Sequence, residues 1–125
     1  MPPKKILVVE DDADQRLAIS IRLKANKYAP IFAGDGVSAI AAAQREHPDL
    51  IVLDLGLPGG DGFTVLDRMR TIPRLAGIPI IVLTARDPKT ARERTLDLGA
   101  SGFFEKPVDS AEFLAAIHAA LGDGE

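Results

Sequence analysis

Short apolar segments alternate with helical patterns along the whole chain. Five segments have the length of a β-strand, namely residues 6–9, 29–33, 50–53, 80–83 and 103–104. The first, third and fourth are almost entirely apolar and rich in Val and Ile, which is typical of strands covered on both faces in a parallel sheet. The second and fifth are shorter or more polar, as strands at the edges of a sheet tend to be.

The stretches between the strands have the spacing of amphipathic helices. Residues 13–26 carry apolar pairs four positions apart, and similar apolar faces follow Gly36, Gly62, Pro88 and Asp109. The helix after Pro88 has a small apolar face, so we expect it to be less well anchored than the others. The residues predicted to face the core are Leu17, Ile19, Ile21, Leu23, Val37, Ile40, Ala41, Phe63, Leu66, Met69, Ala91, Thr95, Leu98, Phe113, Leu114, Ile117 and Leu121.

Five strands alternating with five helices predict an α/β fold with a doubly wound parallel sheet and helices on both faces. The chain has 125 residues, which suits a single domain over 1–125 with a core of about 5–121. If the acidic residues that follow the first and third strands share one site, these two strands are neighbours. The strand order is then 2-1-3-4-5, the flavodoxin-like order, and this prediction depends on the shared site.

Composition narrows the classes of protein that this chain can belong to. It contains no Cys, which excludes disulfides and thiolate metal sites and fits a reducing cytosol. The net charge is −3, whereas proteins that bind nucleic acid directly are more often basic. No apolar stretch approaches membrane-spanning length, and residues 1–5 lack the apolar region of a signal peptide. We therefore expect a cytoplasmic protein with no membrane segment and no direct contact with nucleic acid.

Polar side chains follow four of the five predicted strands at their carboxyl ends, where open α/β sheets bind ligands. Glu10 and Asp11 follow the first strand, Asp54 the third, Thr84 the fourth and Lys106 the fifth. Three carboxylates brought close together repel one another and lose solvation, so a chain keeps them where a hard cation or a phosphoryl group belongs. The pattern therefore predicts a Mg²⁺ site and phosphoryl transfer to a carboxylate.

Each of these side chains fits a role in that chemistry. Asp54 is predicted to be the nucleophile, because a carboxylate that attacks a phosphoryl donor forms an acyl phosphate. Mg²⁺ keeps several waters, so one to three protein oxygens suffice, and we expect Asp11 and Asp54 to bind it directly with Glu10 acting through a water. Lys106 is predicted to supply the remaining positive charge, and the hydroxyl of Thr84 to donate to a phosphoryl oxygen.

These residues stand in segments that resemble the receiver domain of two-component response regulators. The segments are Ile6-Leu7-Val8-Val9-Glu10-Asp11-Asp12, Asp54-Leu55-Gly56-Leu57-Pro58-Gly59-Gly60-Asp61-Gly62, Val82-Leu83-Thr84-Ala85, and Gly99-Ala100 through Phe103-Phe104-Glu105-Lys106-Pro107. Each motif alone has weak to moderate specificity, but the four in this order, each ending its own strand, are highly specific. The resemblance covers nearly the whole chain, from Lys5 to about Leu121.

The resemblance implies a phosphoacceptor signalling module. A histidine kinase or a phosphotransfer protein would pass a phosphoryl group from its phosphohistidine to Asp54 in a Mg²⁺-dependent reaction. Glu10 and the backbone carbonyl of Gly56 would join the metal ligands. The resemblance also implies a switch, in which Thr84 moves toward the phosphoryl group and the aromatic ring of Phe103 turns inward, although Phe103 is also interpreted as ordinary core packing.

The expected signalling face lies on the fourth helix, fifth strand and fifth helix. Because the fourth helix is weakly anchored, we expect residues 85–99 and 103–106 to form this face and to rearrange on phosphorylation. This face would control a downstream protein target or an output domain, or would form a homodimer. The chain ends soon after the fifth helix, so we expect no output domain within it. The Lys106-Pro107 bond is cis in such domains.

Three alternatives stay open at the level of sequence. The acidic triplet at 10–12 leaves the metal register undecided, although the family pattern favours Glu10 and Asp11 with Asp12 outside the metal ligands. A phosphatase of the haloacid dehalogenase type uses similar groups, but it carries a second Asp two residues after the nucleophile, where this chain has Gly56. A receiver-like scaffold that is never phosphorylated is the third, against which the complete set of residues argues.

Overall fold

The structure is a computed structural model that describes residues 2–56, 62–84 and 88–122, with the backbone alone for 88–91. Five strands and five helices alternate along the chain. The strands are β1 (Lys5–Val9), β2 (Ala29–Ala33), β3 (Leu50–Asp54), β4 (Ile80–Thr84) and β5 (Gly102–Glu105). The helices are α1 (Ala13–Ala25), α2 (Gly36–Glu46), α3 (Gly62–Thr71), α4 (Pro88–Asp97) and α5 (Ser110–Leu121).

The five strands form one parallel sheet in the order β2-β1-β3-β4-β5, as predicted. β1 and β3 are direct neighbours, and Val9 at the end of β1 pairs with Leu53 near the end of β3. The predicted adjacency of the first and third strands is therefore confirmed. Because the strands are parallel, all their carboxyl ends meet at one edge of the sheet.

Side chains alternate between the two faces of the sheet and form a core on each face. β1, β3 and β4 are almost wholly buried, whereas β2 and β5 at the edges are more exposed. One core packs against α2 and α3 and includes Leu7, Val9, Ile51, Leu53, Leu66 and Met69. The other packs against α1 and α5 and includes Ile6, Val8, Leu23, Val52, Phe113 and Ile117.

The predicted apolar face of α1 was wrong in part. Ile19 and Leu23 are buried, but Leu17 and Ile21 are each 60% exposed. Two residues along a helix correspond to about 200° around its axis, so the two apolar pairs point in nearly opposite directions. Only one pair can face the sheet.

The predicted face of α2 was also wrong in part, because the helix packs through small residues. Val37 is 76% exposed and Ala41 is exposed, while Ile40 is buried as predicted. The other buried side chains are those of Ala39, Ala42 and Ala43.

The remaining helices present the predicted faces within the part of the chain that the structure describes. In α3, Phe63, Leu66 and Met69 are buried. The fully buried residue of α4 is Thr95, Leu98 just beyond this helix is half-buried, and the side chain of Ala91 lies outside the described residues. In α5 the buried residues are Phe113 and Ile117, and those half-buried include Leu114 and Leu121. None of the helices described is both long enough and apolar enough to span a bilayer.

The start of α3 approaches the end of β3 so closely that only glycine fits. A Cβ atom on Gly62 would lie 2.5 Å from the Cα of Leu55. Contacts this short do not occur between real side chains and a backbone, so the absence of a Cβ permits this packing. The first residue of α3 therefore packs directly against Leu55, the residue that follows Asp54.

Candidate functional site

Three carboxylates converge at the carboxyl edge of the sheet. One oxygen from each of Glu10, Asp11 and Asp54 lies within 4.8 Å of the other two. The pairing of β1 with β3 brings them together. On the other side of β1, the backbone N–H of Glu10 extends the β1–β2 ladder by donating to the carbonyl of Ala33 (3.0 Å). Glu10 and Asp54 are buried, whereas Asp11 is exposed. A set of three carboxylates offers the oxygen ligands that a hard cation such as Mg²⁺ prefers.

Both carboxylate oxygens of Asp54 accept hydrogen bonds. The backbone N–H of Gly56 donates to Oδ1 (2.9 Å), and the ammonium of Lys106 donates to Oδ2 (2.9 Å). The chain after Asp54 is held against β4, because the N–H of Leu55 donates to the carbonyl of Leu83 (3.1 Å). The carboxylate therefore has a single defined orientation at the edge of the sheet.

Lys106 follows β5 and reaches back across the sheet edge to the acidic cluster. Its Nζ donates to Oε1 of Glu10 (2.9 Å), to Oδ2 of Asp54 (2.9 Å) and to Oε1 of Gln15. An ammonium group has three N–H donors, so three acceptors occupy all of them. The contact with Gln15 was missed at the level of sequence, because nothing in the residue type or its helical position signals it.

Thr84 ends β4 at the same edge of the sheet and is fully buried. It follows Leu83, which pairs with Asp54 in the β3–β4 ladder. Its carbonyl accepts from the backbone N–H of Lys106 (2.8 Å). The Lys106-Pro107 bond is cis, which confirms the expectation from the resemblance.

Asp12 caps α1 rather than joining the acidic cluster. Its Oδ1 accepts from the backbone N–H of Gln15 (3.0 Å), and its own N–H donates to Oε2 of Glu10 (3.2 Å). Asx side chains at the N-cap satisfy the unpaired N–H groups of the first turn. The carboxylates that lie together at this edge are those of Glu10, Asp11 and Asp54, and the side chain of Asp12 caps the helix instead.

Phe103 and Gly56 lie near this edge but differ in exposure. Phe103 is half-buried in β5, pairs with Val82 and packs against the core beside α2 and α3. Gly56 is exposed, and a Cβ added to it would lie 3.5 Å from Oδ1 of Asp54, an ordinary contact distance. Among the described residues, a side chain at position 56 would therefore fit beside the Asp54 carboxylate without a clash.

Burial and ion pairing shift the pKa values of two groups in the site, Glu10 and Lys106. Burial raises the pKa of Glu10, and the hydrogen bonds from Lys106 and Asp12 oppose this effect without reversing it. Burial lowers the pKa of Lys106, but the hydrogen bonds and charges of Glu10 and Asp54 outweigh it, so the pKa is raised above 10.5. Lys106 thus remains an ammonium at neutral pH.

Comparison with known sequences decides the family. A model of the family described as "Response regulator receiver domain" matches residues 6–118. This chain belongs to the response regulator receiver domain family. Receiver domains are signalling modules of two-component systems and are generally not turnover enzymes.

Curated relatives of this receiver domain are longer proteins. Response regulator PleD of Caulobacter vibrioides is 40% identical over 114 residues, which cover 90% of this chain and 25% of PleD. The phosphate regulon transcriptional regulatory protein PhoB of Escherichia coli is 36% identical over 118 residues, covering 94% of this chain and 52% of PhoB. The receiver domain thus spans between a quarter and about half of the length of these relatives.

Solved receiver domains share the whole architecture. The receiver domain of sensor histidine kinase PA1611 from Pseudomonas aeruginosa has a TM-score of 0.88 at 30% identity, covering 97% of this chain and 99% of that one. That structure has a magnesium ion coordinated in its active site cleft. Chemotaxis protein CheY4 of Vibrio cholerae has a TM-score of 0.87 at 28% identity, covering 95% of this chain and 99% of the other.

Proposed function

We propose that this receiver domain accepts a phosphoryl group on Asp54 from the phosphohistidine of a histidine kinase or a phosphotransfer protein, in a Mg²⁺-dependent reaction. The observation that carries the proposal is the convergence of Glu10, Asp11 and Asp54 around the ammonium of Lys106. We further propose that residues 1–125 form one receiver domain, which the family match over 6–118 supports.

The metal-binding oxygens fit a divalent cation in ligand type, and the net charge of the site fits it as well. Three carboxylates and one ammonium carry a formal net charge of −2. Asp11, Asp54 and the carbonyl of Gly56 would hold Mg²⁺ directly, with Glu10 acting directly or through a water. Glu10 already accepts from Lys106 and Asp12, which favours the indirect role. When bound, Mg²⁺ supplies positive charge that offsets repulsion between the carboxylate and the phosphoryl oxygens.

The transfer step forms one bond and breaks another. A carboxylate oxygen of Asp54 bonds to phosphorus while the P–N bond of the phosphohistidine breaks. The departing imidazole nitrogen keeps the electron pair and takes a proton from water. Lys106 orients the carboxylate before the reaction through its 2.9 Å contact with Oδ2, and afterwards donates to a phosphoryl oxygen. The hydroxyl of Thr84 would donate to a second phosphoryl oxygen.

We propose that Thr84 and Phe103 couple this reaction to the surface formed by α4, β5 and α5. Their strands are paired, with Val82 opposite Phe103 and Thr84 opposite Glu105, so the two residues lie two register positions apart. A shift of Thr84 toward a phosphoryl group would change the space beside Phe103. The altered surface would bind a downstream protein or output domain, or a second copy of the chain.

The curated relatives extend well beyond the receiver domain, so the partners of a whole protein can also involve regions outside it. We propose that the receiver domain itself contacts proteins and not nucleic acid, which its net charge of −3 supports. A curated relative, RpaA of Synechocystis, is nevertheless named a DNA-binding regulator, and only 48% of its length is matched.

The decisive measurement is the intact mass of the protein after incubation with acetyl phosphate and Mg²⁺. We expect one phosphoryl adduct that hydroxylamine removes and that is absent in Asp54→Asn. Asp67→Asn, a substitution of an exposed aspartate on α3, should keep the adduct. A wild-type chain without the adduct would indicate an unphosphorylated scaffold, and steady turnover of a phosphomonoester would indicate a phosphatase instead.

A further inference from the structure

The side chain of Gln15 joins the acidic site although it is neither acidic nor basic. It lies on α1, where its backbone N–H donates to the capping carboxylate of Asp12 (3.0 Å). Its side-chain carbonyl Oε1 accepts from Nζ of Lys106, 91 residues further along the chain. The cap fixes the backbone of Gln15, and the ammonium fixes the end of its side chain.

The three acceptors around Lys106 differ in charge and in what the proposed reaction does to them. Glu10 and Asp54 are buried carboxylates, whereas Gln15 is a neutral amide. Phosphorylation changes Asp54 alone, so the donor directed at Asp54 is the one that passes to a phosphoryl oxygen. The donors directed at Glu10 and Gln15 keep their acceptors and hold the ammonium in place during this change.

A neutral acceptor suits position 15 better than a carboxylate, which would be the third carboxylate bonded to Lys106. A carboxylate would add a negative charge to a site that already carries three, and it would compete with the phosphoryl group for Lys106. An apolar side chain would leave one N–H of a largely buried ammonium without an acceptor, since the side chain of Lys106 is only 17% exposed. The amide of Gln15 accepts from the Lys106 ammonium without adding a negative charge and without leaving an N–H unbonded.

We propose that Gln15 is a positioning residue for Lys106, which it holds in the orientation needed to stabilise the phosphoryl group on Asp54. This inference rests on the proposed phosphoryl transfer. It predicts that the loss of the acceptor slows the chemical step more than it weakens the binding of phosphodonor or metal, because Gln15 contacts neither of the predicted direct metal carboxylates.

The experiment compares wild type with Gln15→Met, which keeps the length of the side chain but removes the acceptor, and with Gln15→Glu, which keeps an acceptor. Gln44→Met is the matched control, because Gln44 is exposed on α2. The first readout is the ¹H–¹⁵N spectrum of the lysine ammonium groups in the metal-free protein, assigned through Lys106→Arg. The second is the rate of phosphorylation by acetyl phosphate at varied donor and Mg²⁺ concentrations.

We expect the Lys106 ammonium signal to be visible in wild type, Gln44→Met and Gln15→Glu, because its protons exchange slowly when all are bonded. Gln15→Met should lose the signal through faster exchange with water. The maximal phosphorylation rate constant of Gln15→Met should fall by about tenfold, with half-saturating donor and Mg²⁺ concentrations changed less than about twofold. If Gln15→Met unfolds, Gln15→Ala provides the same two readouts.

An unchanged Lys106 signal together with an unchanged rate constant in Gln15→Met would overturn the proposal. A lower melting temperature alone, with both readouts unchanged, would also overturn it, because it would show a purely structural role in α1. Wild-type protein that takes no phosphoryl group would overturn the proposed function and the predicted effect on rate. The ammonium spectrum needs neither donor nor metal, so it would still decide whether Gln15 holds Lys106.

Discussion

At the scale of single residues, Lys106 balances two buried carboxylates that have no other cationic partner among the described residues. Its Nζ lies 2.9 Å from both Glu10 and Asp54, whose side chains are 2% and 10% exposed. Each carboxylate also accepts one backbone N–H, Glu10 from Asp12 and Asp54 from Gly56, but the site still holds more negative than positive charge. The removal of the cation and the removal of a carboxylate should therefore have opposite consequences for stability.

Lys106→Met should destabilise the metal-free protein by about 2 kcal/mol, since it leaves two buried carboxylates without their cation. Asp54→Ala should be neutral or stabilising, because it relieves like-charge repulsion while Glu10 still pairs with Lys106. Urea unfolding without metal measures both, with Lys24→Met as an exposed lysine control. A loss of several kcal/mol in Asp54→Ala would instead mark Asp54 as a structural residue.

At the scale of the elements, short polar caps and one glycine set where the helices begin. Asp12, Asp35 and Asp109 each accept a backbone N–H from the first turn of α1, α2 and α5. Each cap follows a strand or its loop directly, so the helix starts next to the carboxyl edge of the sheet. The positions of site residues such as Gln15 depend on these starts.

The cap of α2 should make stability depend on pH. The backbone N–H of Ser38, and then its hydroxyl, hold the pKa of Asp35 below 3.8 by donating to its carboxylate. A folded-state pKa that is lowered contributes stability that is present above the unfolded value and is lost as pH falls through the folded value.

Asp35→Asn keeps a capping acceptor that does not titrate. The urea midpoint of wild type should therefore fall more steeply than that of Asp35→Asn between about pH 4 and pH 2. Parallel midpoints over this range would show that the cap of α2 does not depend on the charge of Asp35.

The approach of α3 to β3 should tolerate no Cβ. Gly62→Ala should destabilise the protein by about 2 kcal/mol, because the new atom would lie 2.5 Å from the Cα of Leu55. Gly77→Ala is the matched control, since a Cβ at this exposed position would meet nothing within 4 Å. Equal urea midpoints for the two variants would refute the close approach as the reason for glycine at 62.

At the scale of the whole molecule, metal binding should stabilise the fold as a unit. Mg²⁺ would bind the acidic cluster of the folded chain and not the dispersed carboxylates of the unfolded one. A concentration of ten times Kd should add roughly 1.4 kcal/mol and raise Tm by about 3–6 °C. Asp11→Asn should reduce this shift, while Asp14→Asn, an exposed acidic residue in the first turn of α1, should leave it unchanged. A Tm that millimolar Mg²⁺ does not move would argue against the site.

The proposed signalling face includes elements with few buried side chains among the described residues. Of the α4 side chains that the structure describes, 92–97, only that of Thr95 is buried, and β5 is an edge strand with half-buried aromatic residues. Low burial lowers the free energy needed for local opening, and a conformational switch can use such an element. Beryllofluoride with Mg²⁺ should change hydrogen exchange in 92–99 and 103–106, whereas residues 85–87 lie outside the described ranges. Unchanged protection in both segments would contradict the proposed signalling face.

Much of the fold was determined by local pattern. The continuous apolar runs of β1, β3 and β4 predict buried parallel strands, because both faces of such strands are covered by helices. The polar residues that follow these runs predict which side chains lie at the carboxyl edge of the sheet, and Glu10 and Asp54 do lie together there. These inferences need only the order of residues, since strand ends and site residues are adjacent in the chain.

Tertiary structure alone decided which of two competing local patterns applies. The sequence of α1 offers two apolar pairs, and packing against the sheet buries Ile19 and Leu23 and exposes Leu17 and Ile21. The sequence leaves open whether Asp12 joins the acidic cluster, and in the structure its side chain caps α1. The contact of Gln15 with Lys106 joins residues 91 positions apart. Local periodicity carries no information about such a contact, because it depends on how a helix and a distant loop are packed on the same sheet.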